Sequence, residues 1–202
     1  MKYLFLLPLI LLMHHYGFAE RYHKAKVIFM DGTIVEGLAE IPGNPSPTPI
    51  AFKTSDDAKK QKLRCDDIKT IIYYFGNNGT VEYDRMNVYY FEGDKKPSRI
   101  WLQALQRGSV TLYTCVYLTP GGTFGSKDKF DDLWFCYRTG EEIATRITAT
   151  FIKNKQGYFT TRATNYFQDD PELIKKIKDD QYKWNEMGKI VEEYNARKKQ
   201  SL

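Results

Sequence analysis

From Ala25 the chain alternates between core-seeking and polar positions. Val27 and Phe29 share one side of the backbone, a two-residue period that predicts a strand. Asp31-Gly32 supplies turn chemistry, and Thr33 to Ile41 continues as a second strand with Gly37 inside it. Ile50 to Thr54, Lys62 to Cys65 and Ile68 to Phe75 extend the β pattern. Asn77-Asn78-Gly79 is a hairpin signal, after which Thr80 to Phe91 returns as a long, Tyr-rich strand. Ile100 to Leu105 fits a short helix capped by Ser98 or a strand that turns at Gly108. The clean alternation of Ser109 to Leu118 favours the strand. It puts Val110, Leu112, Val116 and Leu118 on one face. Phe130 to Arg138 is the return strand, Thr139-Gly140 a turn, and Ile143 to Ile152 a further strand.

The period then changes. Phe159, Ala163, Tyr166 and Phe167 make a helical stripe. Asp170-Pro171-Glu172 is a helix start with an Asp cap, Pro in the first turn and an acid beside it; Leu173, Ile174 and Ile177 follow as its apolar face. Asn185 is placed to cap a last helix striped by Met187, Ile190, Val191 and Tyr194. Strands followed by helices predict an α+β fold: a β-rich region over 20–95, a central β-hairpin region over 96–156, and about three C-terminal helices over 157–202 packed on the sheet. Phe159, Phe167, Leu173, Ile177, Ile190 and Tyr194 are expected to cover a sheet face. Pairing the apolar positions of Ser109–Leu118 with those of Phe130–Arg138 predicts Val116 opposite Phe135, Leu118 opposite Leu133 and Tyr117 opposite Trp134. That register also sets Cys115 opposite Cys136, within disulfide reach, and leaves Cys65 unpaired.

Residues 1–19 predict an export signal. Lys2 is basic, Tyr3 to Met13 is an apolar run too short to span a bilayer, and Gly17 and Ala19 put small residues at the cleavage positions. The expectation is a mature chain beginning at Glu20, periplasmic, cell-surface or secreted, with no integral membrane segment. There the cysteines would meet an oxidising compartment.

Composition narrows the chemistry. Aromatics reach 15%, which suits a β-rich core, and the formal charge of +5 comes from mixed signs, so it does not point to nucleic acid. His14 and His15 would leave with the signal, so any histidine-based machinery would have to use His23 near the flexible start of the mature chain. There is no CxxC, no H-E-x-x-H and no phosphate-binding glycine motif. No catalytic, cofactor-binding or metal-ligating residue stands out, and no cofactor is expected. The acidic pairs Asp56-Asp57, Asp66-Asp67, Asp131-Asp132, Asp169-Asp170 and Asp179-Asp180 read as turn and cap residues, because neighbours on a strand point to opposite faces.

Aromatics offer a different chemistry. Tyr73, Tyr74, Phe75, Tyr83, Tyr89, Tyr90 and Phe91 crowd two strands joined by one turn, and either face outward as a binding surface or lie under the helices. The Pro-rich loop 42–49 and the Gly-rich loop 119–129 are the other binding candidates, the former stiffened by its prolines. Two classes of function follow: a non-catalytic binding protein that engages a protein or glycan, and a hydrolase that uses carboxylates.

The segments GTIVEG, NPSPTPIAFK, DDIKTI, WLQALQRGSVTLYTCV, YFQDDPEL and IVEEYN resemble those of an uncharacterised group of exported Bacteroidetes proteins. The resemblance covers most of the chain after residue 19. It implies a shared fold and an envelope or secreted location, and carries no activity, cofactor or site residue. The 42–49 and 119–129 loops depart from the group's pattern.

Overall fold

The computed structural model describes residues 22–43, 48–119 and 127–200. The expected signal segment and its cleavage point lie outside the described residues.

Among the described residues, ten strands form one sheet: β1 (His23–Phe29), β2 (Ile34–Ala39), β3 (Ile50–Lys53), β4 (Gln61–Leu63), β5 (Ile68–Tyr74), β6 (Thr80–Val88), β7 (Ser98–Gln106), β8 (Val110–Thr119), β9 (Lys129–Arg138) and β10 (Thr145–Ala149). The order is β10-β9-β8-β7-β6-β5-β1-β2-β3-β4, with antiparallel neighbours throughout. The β1–β2 turn closes because Gly32 adopts φ +86° and Asp31 Oδ1 accepts the Thr33 N–H at 2.8 Å. A single-turn helix, Cys65–Asp67, reverses the chain so that β5 returns to the free side of β1. β2 comes close to β3 at Gly37, where a Cβ would stand 2.2 Å from the Lys53 carbonyl oxygen and 2.6 Å from the Phe52 ring.

A sheet this long curls, and the two ends curl differently. Around β1–β5, Val27, Phe52, Ile68, Ile71 and Tyr73 gather with Trp101 of β7 into one core. At the other end, the last residue of β6 meets the chain before β10. Val88 and Ala144 form a parallel bridge, and the Ala144 N–H donates to the Asn87 carbonyl at 2.9 Å. That contact brings the ends of the β6–β10 meander together as a ring. Its inward side chains, among them Ile100, Leu102, Tyr113, Cys115, Leu133 and Phe135, are a second core.

Three helices pack outside the ring. α1 (Lys155–Tyr166) starts at Asn154, whose side chain accepts the Gly157 N–H. α2 (Pro171–Lys178) starts at Asp170, which accepts the Leu173 N–H at 3.0 Å, with Pro171 following the cap as the sequence predicts. α3 (Met187–Gln200) is preceded by Glu186 rather than Asn185: the Glu186 carbonyl accepts the Lys189 and Ile190 N–H groups, and its carboxylate accepts the Lys183 N–H. Phe159, Phe167, Leu173, Ile177, Ile190 and Tyr194 are buried against Val110, Leu112, Cys136 and Ile147 of the sheet, as their spacing predicts. Each large side chain removed from water there stabilises the fold by about 1.5–3 kcal/mol.

Several boundaries and one register differ from expectation. β6 ends at Val88, and β10 is confined to Thr145–Ala149 with a bulge at Ile147. β8 and β9 pair with Cys115 opposite Leu133, Val116 opposite Asp132, Tyr117 opposite Asp131, Leu118 opposite Phe130 and Leu112 opposite Cys136. This is three residues away from the expected register, and an odd shift moves side chains to the other face. Cys115 therefore points into the ring and Cys136 under the helices; Cys65, Cys115 and Cys136 are all free and buried. The expected register assumed one buried face. Where Leu112 and Cys136 lie under the helices while Tyr113 and Phe135 lie in the ring, both faces are buried, so apolar matching no longer selects a register.

Candidate functional site

Tyr83, Gln103 and Thr114 lie in register across β6, β7 and β8 on the outer side of the sheet, between the helix-covered strands and the curl of β1–β5. They floor a groove of about 290 Å³. One wall is built from Val116, Leu118 and Phe130 of the β8–β9 hairpin, and Pro42 stands at the other side. Alternation explains the wall. Val116 and Leu118 continue the face that Val110 and Leu112 bury, but they extend past the helices. Val116 is 44% exposed, Leu118 36% and Phe130 72%. A cluster of exposed apolar side chains marks an interaction surface more often than isolated ones do.

Described residues at the margins of the two loops singled out from the sequence border this one groove. Pro42 begins the Pro-rich loop; Leu118 and Phe130 flank the Gly-rich one. Residues 44–47 and 120–126 lie outside the described residues.

On the opposite side of β6, a buried polar network holds the floor strands together. Asp84 accepts from Thr70 Oγ1 at 2.6 Å, Tyr113 Oη at 2.5 Å and Arg107 Nη2 at 2.9 Å, so β5, β6, β8 and the β7–β8 turn converge on one carboxylate. Arg107 Nε also donates to Glu82 at 2.7 Å. Burial and the adjacent carboxylate push the Tyr113 phenol well above its usual range, which keeps it a donor. The network fixes Tyr83 and Thr114 from behind.

The aromatic strands divide. Tyr73 and Tyr90 are buried by the curl of the sheet and by the ring, not by the helices, while Tyr74, Tyr89 and Phe91 are exposed. Only Tyr83 of that set lines the groove. His23 opens β1 and stacks 5.0 Å from the Phe75 ring, so it is held in the sheet instead of lying free near a flexible start.

Members of four of the acidic pairs serve local structure. Asp170 caps α2; Asp169 receives Tyr194 Oη at 2.7 Å and pairs with Arg138 and Lys198; Asp131 accepts from Thr150 Oγ1 at 2.8 Å; Asp67 pairs with Arg64, and Asp179 with Lys175. Although partial burial opposes it, the bonds from Lys198, Tyr194 and Arg138 hold the Asp169 carboxyl below its usual value.

Tyr194-Asn195 near the chain end has a comparable task. The Asn195 side chain accepts the Val110 N–H at 2.8 Å and donates to the Val110 carbonyl at 2.9 Å, continuing the ladder of β8 past Leu112, where its pairing with β7 ends. Sequence reading missed the groove because Val116 and Leu118 belong to an apolar alternation that elsewhere is core. The signal available was that this alternation runs directly into the Gly-rich loop. No family model, no curated protein and no solved structure matches the chain.

Proposed function

We propose that the protein is a non-catalytic binding protein of the cell envelope or extracellular space, and that it grips a protein partner in the groove between Pro42 and the Val116–Leu118–Phe130 wall. The observation that carries this reading is Phe130, 72% exposed, standing over exposed Val116 and Leu118 at the groove wall. Among the described residues, Gln103 and Thr114 are its polar side chains besides the Tyr83 phenol. This lining suits an apolar side chain of a protein better than a sugar, whose hydroxyls need many converging donors and acceptors. Export rests on the residue pattern of 1–19 and on the resemblance to exported Bacteroidetes proteins; no helix among the described residues is long and apolar enough to cross a membrane.

The test is capture from the native envelope fraction. Wild type should retain a discrete partner, and Phe130→Glu, whose side chain is exposed, should lose it while keeping the wild-type circular dichroism spectrum. Equal capture by both proteins would overturn the proposal. N-terminal sequencing of mature protein should begin at Glu20; recovery only of chain starting at Met1 would overturn export.

A further inference from the structure

Arg146 of β10 is 5% exposed, and among the described residues no ion pair reaches it. Its Nη2 donates to Tyr158 Oη at 2.9 Å, while Nε and Nη1 are buried without partners. A buried guanidinium lacking a counter-charge is costly, and such groups are normally paired. This one lines a cavity of about 350 Å³ whose wall also includes Arg162 of α1. Arg162 is tied in place by its Nε, which donates to the Arg146 carbonyl at 3.2 Å. Both guanidinium carbons lie 5.7 Å from the Tyr158 ring centroid, so two cations share one aromatic ring. An anion lodged beside them offsets their repulsion and supplies the missing counter-charge.

The rest of the wall narrows the ligand. Tyr89 and Phe91 present exposed rings, suited to a flat, partly apolar body. Glu92 and Asp94 add negative charge at the same cavity, and Asp94 Oδ2 is already engaged by the Phe91 N–H at 2.9 Å. Those carboxylates disfavour dianions and can accept hydroxyl donors. We propose that this cavity, separate from the groove, binds a small hydroxylated monocarboxylate of the uronic-acid type, its carboxylate held by Arg146 and Arg162.

The test titrates the chain from Glu20 onward with glucuronate, glucose and inorganic phosphate, followed by NMR shifts of the arginine side chains. Glucuronate should give saturable shifts at millimolar concentration, glucose none, and phosphate binding at least about tenfold weaker. Arg162→Gln should weaken glucuronate by about tenfold or more and lower the melting temperature by no more than about 2–4 °C, the loss of its one bond to the Arg146 carbonyl. Arg146→Met should abolish binding and melt no lower than wild type, because it removes an uncompensated buried charge. If that variant fails to fold, Arg146→Lys, which keeps the charge but not the forked donors, should lose about tenfold. No saturable glucuronate shift, phosphate binding as tight as glucuronate, or undiminished binding by Arg162→Gln would each overturn the proposal.

Discussion

Replacing Asn195 by alanine removes both bonds that tie α3 to Val110. Those bonds, at 2.8 and 2.9 Å, join residues 85 positions apart, and both residues are buried. Each bond contributes about 1 kcal/mol net, and stranding the Val110 N–H and carbonyl without water adds a comparable or larger penalty. The total is about 3 kcal/mol, a large share of the roughly 5–15 kcal/mol that holds a typical domain. For a chain of this size that lowers the melting temperature by about 6–12 °C. Thermal and urea unfolding followed by circular dichroism would measure it, and hydrogen exchange at the Val110 amide should accelerate.

Asn195→Asp sharpens the argument. A protonated carboxyl can accept from the Val110 N–H and donate to its carbonyl, as the amide does. A carboxylate would instead face the carbonyl oxygen, so folding raises the pKa of this group. Its stabilising contribution is complete below the unfolded value of about 3.9 and is lost as pH rises through the folded value. The variant's deficit should therefore grow from acid to neutral pH. Gly108 supplies a coupled check: a Cβ there would sit 2.3 Å from Asn195 Nδ2, so Gly108→Ala should destabilise the wild type far more than the Asn195→Ala background. An Asn195→Ala loss under about 0.5 kcal/mol, or an Asn195→Asp deficit independent of pH, would refute this account.

Other outcomes follow from particular contacts. Partial burial opposes ionisation of Glu193, yet bonds from Lys176, Tyr182 and Arg197 hold its carboxyl down to about 2; its contribution is present above the usual 4.5 and lost as pH falls toward 2. Glu193→Gln should flatten that part of an acid-unfolding curve and cost about 1–2 kcal/mol at neutral pH. Gly37→Ala should destabilise by about 1–3 kcal/mol in urea titrations, because the added methyl collides with the Lys53 carbonyl and the Phe52 ring. Native protein should resist iodoacetamide, since burial pushes the Cys115 thiol up to about 12 and all three cysteines are covered; mass spectrometry after urea should find three alkylated thiols, and a disulfide-linked pair would contradict the register.

Local order was legible wherever one face of an element meets water. The Asp170-Pro171 start and the Phe159–Phe167 stripe carry their own geometry, and the hairpins around Gly32 and Gly79 carry theirs. Pairing was not legible where β8 and β9 are buried on both sides, because an apolar residue then suits either face. Ring closure depends on Val88 meeting Ala144, a contact between distant segments that no local pattern encodes. The two loops were visible as breaks in the pattern; that Pro42 and Phe130 border the same groove depends on the curl of the whole sheet. Arg146 sits in an ordinary Thr-Arg-Ile-Thr alternation, and only tertiary packing shows that its charge is unmatched.

The ends of the ten-stranded sheet limit how another chain could join it. β4 has only three residues, and Lys59, Lys60, Lys62 and Arg64 surround it, so an incoming backbone would have to bury ammonium groups to extend the ladder. β10 is bulged at Ile147, and Arg162 of α1 already occupies the Arg146 carbonyl. Main-chain zippering onto either margin is thereby discouraged, which guards a β-rich molecule against fibril growth. Under the proposed binding reading, recognition then runs through side chains on the faces of the sheet, where specificity is written residue by residue, in preference to the sequence-blind hydrogen bonds of an added strand.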